Sequence, residues 1–243
     1  MGSPGACPHM KLSRSVAAVI PALDASPSVG DVVRRTLAQL ENVVVVDDGS
    51  TDDTAAAARE PGAEVIIHPR NRGKGAALRT AFALLWDRGY EGVVTLDADG
   101  QHLPEEIPRL LEAWESGADL VLGTRDHLFE EMAWIRRASN RVSSRLISFA
   151  AGVALSDIQT GFRIYSRILL ESTGFPENRF EAESAVVVRA AQRGFKISTV
   201  PVDLGFSDGR CTSHYRPIID SARIARAVIG ARYGPSRIRG GQT

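Results

Sequence analysis

The chain has 243 residues, 44% of them hydrophobic and 24% charged, values that exclude a disordered, collagen-like or coiled-coil protein and leave room for one mid-sized domain. Its 29 basic and 29 acidic side chains cancel, so bulk charge offers no footprint for a nucleic-acid partner, and a charged ligand must be met locally. Two cysteines, Cys7 and Cys211, cannot build a disulfide framework or a four-thiolate zinc site, and they suit a reducing, cytoplasmic compartment.

Residues 1–10 lack the charged start and apolar run of a signal peptide and read as a vector-derived leader. The longest apolar stretch, Leu146 to Leu155, falls short of the roughly 18 residues that a spanning helix needs. From Val16 onward, aliphatic runs alternate with amphipathic stretches of helix length, the βαβ pattern. Strands are predicted at Val16–Pro21, Val43–Asp47, Ala63–His68, Gly92–Leu96 and Asp119–Gly123, with helices near Ser28–Gln39, Thr51–Arg59, Lys74–Arg88 and Pro104–Glu115. Strands so continuously apolar fit an α/β fold whose mostly parallel central sheet is covered by helices on both faces. Farther on the reading is a helical segment at Ala133–Ala151, a mixed stretch around Phe162–Leu170, a helix at Ala182–Arg193 and a strand at Lys196–Val200. One domain over 11–208 is expected, followed by a basic mobile loop and amphipathic helix over 209–243.

Three clusters carry chemistry. Asp97 and Asp99 close an apolar strand, and Gly100 lets the backbone bend so that both carboxylates reach one hard cation, Mg²⁺ or Mn²⁺, with positions left for diphosphate oxygens. Asp47 and Asp48 close the run Val43 to Val46, where acids can accept from a base N–H or from ribose hydroxyls; turn and cap chemistry for Asp48-Gly49-Ser50 is the competing reading. Asn71-Arg72-Gly73-Lys74-Gly75 opens a helix, so free N–H groups, the positive end of the dipole and two cations converge where a diphosphate would suit. Neither the P-loop nor the Gly-x-Gly-x-x-Gly spacing is present.

Taken in order, Ile20-Pro21-Ala22-Leu23-Asp24, Val46-Asp47-Asp48-Gly49-Ser50-Thr51-Asp52, Asn71 to Gly75 and Asp97-Ala98-Asp99-Gly100-Gln101-His102 resemble the family 2 glycosyltransferases of GT-A fold. Within that family Gly123-Thr124-Arg125, Asp157-Ile158-Gln159-Thr160-Gly161-Phe162-Arg163 and Phe180-Glu181-Ala182-Glu183 look most like the polyprenyl-phosphate (dolichyl-phosphate) mannose and glucose synthases. The resemblance implies a GDP- or UDP-hexose donor, its base and ribose near Pro21, Asp24, Asp47 and Asp48. It further implies a diphosphate met by Lys74 and by a divalent metal bound through Asp99, with Asp97 and Gln101 nearby. A polyprenyl phosphate acceptor, mostly dianionic near neutrality, needs cations more than a base. Arg125, Arg136, Arg137 and Arg163 are the candidates, because guanidinium forks pair with phosphate oxygens. A hydroxyl acceptor would instead need a general base, and Asp157 is the acid nominated. Glu181 and Glu183 read either as shaping the acceptor side or as capping a helix start. A nucleotidyltransferase stands as an alternative of another class, against which the first strand is not followed by the glycine-rich run such enzymes carry.

From Gly209 onward seven arginines face one acid, Asp220. A helix opened by Pro217 would place Ile218, Ile219, Ala222, Ala225, Val228, Ile229 and Tyr233 in one stripe flanked by Arg226 and Arg232. Such a helix can lie on an anionic membrane surface or pack its stripe on the domain core.

Overall fold

In the computed structural model, residues 15–124, 148, 152, 158, 160–205 and 217–233 are described, with side chains of the last segment described from Arg223 onward. Valine-rich runs form β1 (Val16–Ala22), β2 (Val43–Asp47), β3 (Glu64–Ile67), β4 (Gly92–Thr95) and β5 (Leu120–Thr124), joined later by β6 (Arg163–Ser166) and β7 (Ile197–Pro201). The helices are α1 (Val29–Leu37), α2 (Thr54–Arg59), α3 (Lys74–Asp87), α4 (Ile107–Glu115), α5 (Arg167–Thr173), α6 (Glu181–Gln192) and α7 (Pro217–Tyr233), with a 3₁₀ turn at Pro104–Glu106.

The seven strands hydrogen-bond in the order β3-β2-β1-β4-β6-β5-β7. β1 runs parallel to β2 and to β4, with Ile20 opposite Val45 and Val19 opposite Thr95. β6 runs antiparallel to both β4 and β5, while β7 is parallel to β5. Because side chains alternate along a strand, Ala17, Val19, Val44, Val46 and Tyr165 enter one core with α3, α6 and α7, and Ala18, Ile20, Val45, Leu96 and Ile164 enter another with α1 and α4. Chain order reverses about β1, with β2 on one side and β4 on the other, so a crevice opens beyond their carboxyl ends, where open α/β sheets bind ligands.

The first five strands and the helices between them fall where the sequence places them, except that α2 starts at Thr54 rather than Thr51. The Asp52 carboxylate accepts from the Thr54 N–H at 3.0 Å, so the residues before Thr54 form the cap rather than the helix. The mixed stretch at Phe162–Leu170 resolves into β6 followed by α5; a leading arginine hides the strand in the sequence. The helix expected at Ala133–Ala151 lies outside the described residues apart from Ser148.

The stripe expected on α7 is corrected. Ile224 and Val228 are each 5% exposed and belong to the core, with Ala231 packed against it, whereas Ala225, Ile229 and Tyr233 face outward. Docking on α6, reinforced by the Gln192 side-chain amide donating to the Arg232 carbonyl at 3.2 Å, selects the face that fits a neighbour over the face of greatest apolar length. Arg223, Arg226 and Arg232 are exposed, and no helix among the described residues is long and apolar enough to cross a membrane.

Phe82 of α3 centres an aromatic cluster, its ring centroid 5.4 Å from Phe175, 5.6 Å from Tyr165 and 6.0 Å from Trp86. Phe82→Ala is expected to lower the unfolding free energy by about 3–5 kcal/mol in urea titrations. Ile168→Ala, at a side chain 70% exposed, should stay within about 0.5 kcal/mol of the parent. Equal losses from the two would contradict this packing.

Candidate active site

Pro21, Asp24, Asp47, Asp48, Asp97, Asp99 and Gln101 lie at or just beyond the carboxyl ends of β1, β2 and β4. Asp24, just past β1, has a left-handed backbone (φ 48°). Its Oδ1 accepts from the Thr51 backbone N–H at 2.8 Å and from the Thr51 hydroxyl at 3.1 Å. The Asp24 N–H donates to Ser50 Oγ, the Ala25 N–H to Thr54 Oγ1 and the Ser26 N–H to Asp52, so the loops after β1 and β2 are laced together. Burial acts against the Asp52 carboxylate, but hydrogen bonds from Thr54 and Ser26 prevail and hold it at about 2. The link from Ser26 to Asp52 is therefore intact above the ordinary aspartate range and weakens as pH falls toward about 2. Asp47, 3% exposed, accepts the Ser50 N–H at 2.8 Å and closes the turn, and Pro21 lies beside it in β1, opposite Val46.

Asp48 is spent differently from the sequence expectation. Its buried carboxylate accepts from His68 Nδ1–H at 2.7 Å, from the Arg72 N–H at 3.0 Å and from the Gly73 N–H at 2.6 Å. His68 Nε2 meets Thr80 Oγ1 at 3.0 Å on the first turns of α3. With its oxygens so occupied, Asp48 holds the loop that delivers α3. Gly73 is needed at that junction: its φ is 98°, and a Cβ there would strike Arg179 Cγ at 2.7 Å. Beside the junction an open depression of about 420 Å³ is lined by Arg70, Asn71, Arg72, Ala76 and Asn178.

One residue beyond Gly73, Lys74 turns into the crevice. Its ammonium lies 2.6 Å from Asp97 Oδ1 and 3.1 Å from Glu183 Oε2. Burial works against this cation, but the charges of Asp97 and Glu183 overcome it and keep its pKa above the ordinary lysine value. Gly161 lies flat against the pair, since a Cβ there would come within 2.7 Å of both Lys74 Nζ and Asp97 Oδ2. The carbonyl of Gly161 accepts from the buried Thr95 hydroxyl at 2.9 Å.

Arg163 requires a correction. It is 0% exposed, and its guanidinium donates from Nε to Thr160 O at 2.7 Å, from Nη1 to Glu183 O at 2.6 Å and from Nη2 to Ile158 O at 2.6 Å. A fork committed to three carbonyls inside the core has no free face for an acceptor phosphate. It braces the backbone that carries Gly161 and Glu183. Arg125, Arg136, Arg137 and Asp157 lie outside the described residues.

Asp99 is half-buried, and Gln101 contributes its backbone N–H to Asp99 Oδ1 at 3.0 Å. Burial first, and the neighbouring Asp97 charge second, raise the Asp99 carboxyl above the usual range. The Asp97 N–H donates to His102 Nδ1 at 3.1 Å, which places the His102 proton on Nε2. The Ser28 hydroxyl donates to Ala98 O at 2.7 Å, and the Gly205 N–H donates to Gln101 O at 3.0 Å, so this turn is gripped from both sides. Among the described residues no three His, Cys, Asp or Glu side chains form a closed metal cage. Two mutually repelling carboxylates, one of them raised, do fit a hard divalent cation that fills its other positions with water or ligand phosphates. Sequence reasoning missed that Glu183 reaches Lys74; a glutamate in the first turn of a helix looks the same as a cap.

Residues 17–174 match the family described as Glycosyl transferase family 2. The polyprenol monophosphomannose synthase of Mycolicibacterium smegmatis is 34% identical over 173 residues, covering 66% of this chain and 65% of its own length, so the match spans just under two thirds of that relative. The dolichyl-phosphate hexose transferase of Haloferax volcanii is 34% identical over 202 residues, covering 83% of this chain and 85% of the relative. Among solved structures, glucosyl-3-phosphoglycerate synthase from Mycobacterium tuberculosis, in complex with Mn²⁺, UDP and phosphoglyceric acid, superposes with a TM-score of 0.70 at 22% identity, covering 91% of this chain and 78% of that one. That likeness establishes a shared GT-A fold.

Gly161→Ala is expected to wedge a methyl group between Lys74 and Asp97 and to cost about 1–3 kcal/mol in chemical denaturation. A variant as stable as the parent would show that the pair is not held against this backbone.

Proposed function

The chain belongs to glycosyl transferase family 2, and from that membership we propose that it moves a hexose from a nucleoside diphosphate donor to a polyprenyl phosphate, with inversion at the anomeric carbon. One observation carries the reading: the paired carboxylates Asp97 and Asp99 stand at the carboxyl end of β4, in the crevice about β1, beside the Lys74 ammonium. The relatives named for lipid-phosphate transfer, which span most of this chain, support the acceptor class.

In this reading Asp99, with Asp97 and Gln101 beside it, would hold Mg²⁺ or Mn²⁺, which when bound supplies positive charge to the departing diphosphate. Pro21, Asp24 and Asp47 line the nucleoside end, where the laced loops after β1 and β2 fix the backbone. Lys74, itself 12% exposed, places a second positive charge next to the leaving group. The acceptor phosphate arrives already ionised and attacks without surrendering a proton to the enzyme. With Arg163 withdrawn into the core, Arg125, Arg136 and Arg137 are the cations assigned to that phosphate. The catalytic domain is assigned to 11–208, and the exposed arginines of α7 suit a peripheral position on an anionic cytoplasmic membrane face.

The test is direct. Protein incubated with Mn²⁺, UDP- and GDP-hexoses and a short polyprenyl phosphate should form the glycolipid. Asp99→Ala should lose about a hundredfold to a thousandfold in turnover while keeping its circular dichroism spectrum. Unchanged turnover in that variant would refute the metal assignment, and product only with soluble hydroxyl acceptors would refute the lipid one.

A further inference from the structure

Resting on the transferase reading above, we propose that Glu183 is a positioning residue for the donor site: it shares the Lys74 ammonium with Asp97, so that the Asp97 carboxylate can turn from Lys74 toward the divalent cation that accompanies a nucleoside diphosphate. Lys74 Nζ stands between two carboxylates that are not equivalent. Glu183 is fixed. Its side chain is 7% exposed, its backbone carbonyl is clamped by Arg163 Nη1 at 2.6 Å, and it sits in the first turn of α6. The same guanidinium holds the carbonyls of Ile158 and Thr160, so the segment opposite cannot yield without breaking two buried hydrogen bonds. Asp97 is movable. Its side chain is 32% exposed and it follows β4 on the turn toward Asp99, so that it is bounded by Gly161 on the backbone side but reached by solvent on the other.

A cation held by a fixed and a movable anion keeps the fixed one when a stronger cation arrives. Without Glu183, Lys74 would have Asp97 as its one remaining carboxylate among the described residues, and a divalent ion would have to displace a buried ammonium to reach it. Glu183 Oε1 supports the assignment: it is buried and meets no hydrogen-bond partner among the described residues, so the carboxyl group is held there chiefly by its contact with Lys74.

The experiment is calorimetric titration of the full chain with UDP and GDP in the presence of Mn²⁺, without any acceptor. Glu183→Gln keeps an oxygen for Lys74 but removes the charge, and it should bind the preferred nucleotide about tenfold more weakly, about 1.4 kcal/mol. In a Lys74→Met background the same substitution should change affinity less than twofold, because its effect passes through Lys74. Should Lys74→Met fail to fold, Glu183→Asp decides: it keeps the charge but withdraws it by one methylene from Nζ, and it should match the glutamine variant. Wild-type affinity in Glu183→Gln overturns the proposal, whether its melting temperature falls or turnover alone is lost; the first result marks a merely structural residue and the second a proton acceptor. An equal loss in both backgrounds, or wild-type affinity in Glu183→Asp, shows direct action of charge on the metal and also overturns it. Failure of the wild-type chain to bind either nucleotide would overturn the transferase reading and this proposal together.

Discussion

Lys74 is a cation that the fold has taken out of water, and everything around the crevice is arranged to keep it charged there. Removing an ammonium from water costs several kcal/mol, so a lysine in this place needs anions already in position. One comes from the turn after β4 and one from α6, and Lys74 itself is delivered by a loop that Asp48 holds through two backbone N–H groups. The carboxyl ends of β2 and β4 are thereby joined through one short path, Asp48 to Gly73 to Lys74 to Asp97. That path crosses the position of β1, where the chain order of the sheet reverses.

Electrostatics and packing serve the same end. Asp97 and Asp99 repel each other, burial raises Asp99, and Lys74 offsets part of the excess charge. A crevice left with surplus negative charge beside a single ammonium is poised for a divalent cation and for a ligand bearing its own phosphates. The glycines serve as clearance: Gly73 lets the loop approach the 178–179 segment, and Gly161 lets a strand start against an ion pair. Arg163, buried to the last atom, behaves as an internal brace that ties β6 to α6.

Much of this was legible in the residues. Runs such as Val43 to Val46 announce buried parallel strands, and acids directly after them announce a ligand edge, because few other reasons place carboxylates there. Partnership was less legible. Asp48 and Asp99 look alike in sequence, yet one is saturated by His68 and two amides while the other is held by a single turn, a difference made by residues 20 and more positions away. Arg163 looks like a phosphate fork until three carbonyls are found around it, and Glu183 looks like a helix cap until Lys74 arrives from more than a hundred residues upstream. The outward face of α7 was misjudged for the same reason: the neighbour that chooses the buried face, α6, is not written in the helix itself.

On the transferase reading, these strand ends form one pocket with a metal at one end and a nucleoside at the other. A crystal of the protein soaked with Mn²⁺ and the preferred nucleoside diphosphate, measured at the manganese absorption edge, tests it most directly. One anomalous peak is expected against the Asp99 carboxylate, with the diphosphate touching it and the ribose at the Asp24 and Asp47 loops. A peak remote from Asp99, or a nucleotide seated away from β1, would contradict that reading.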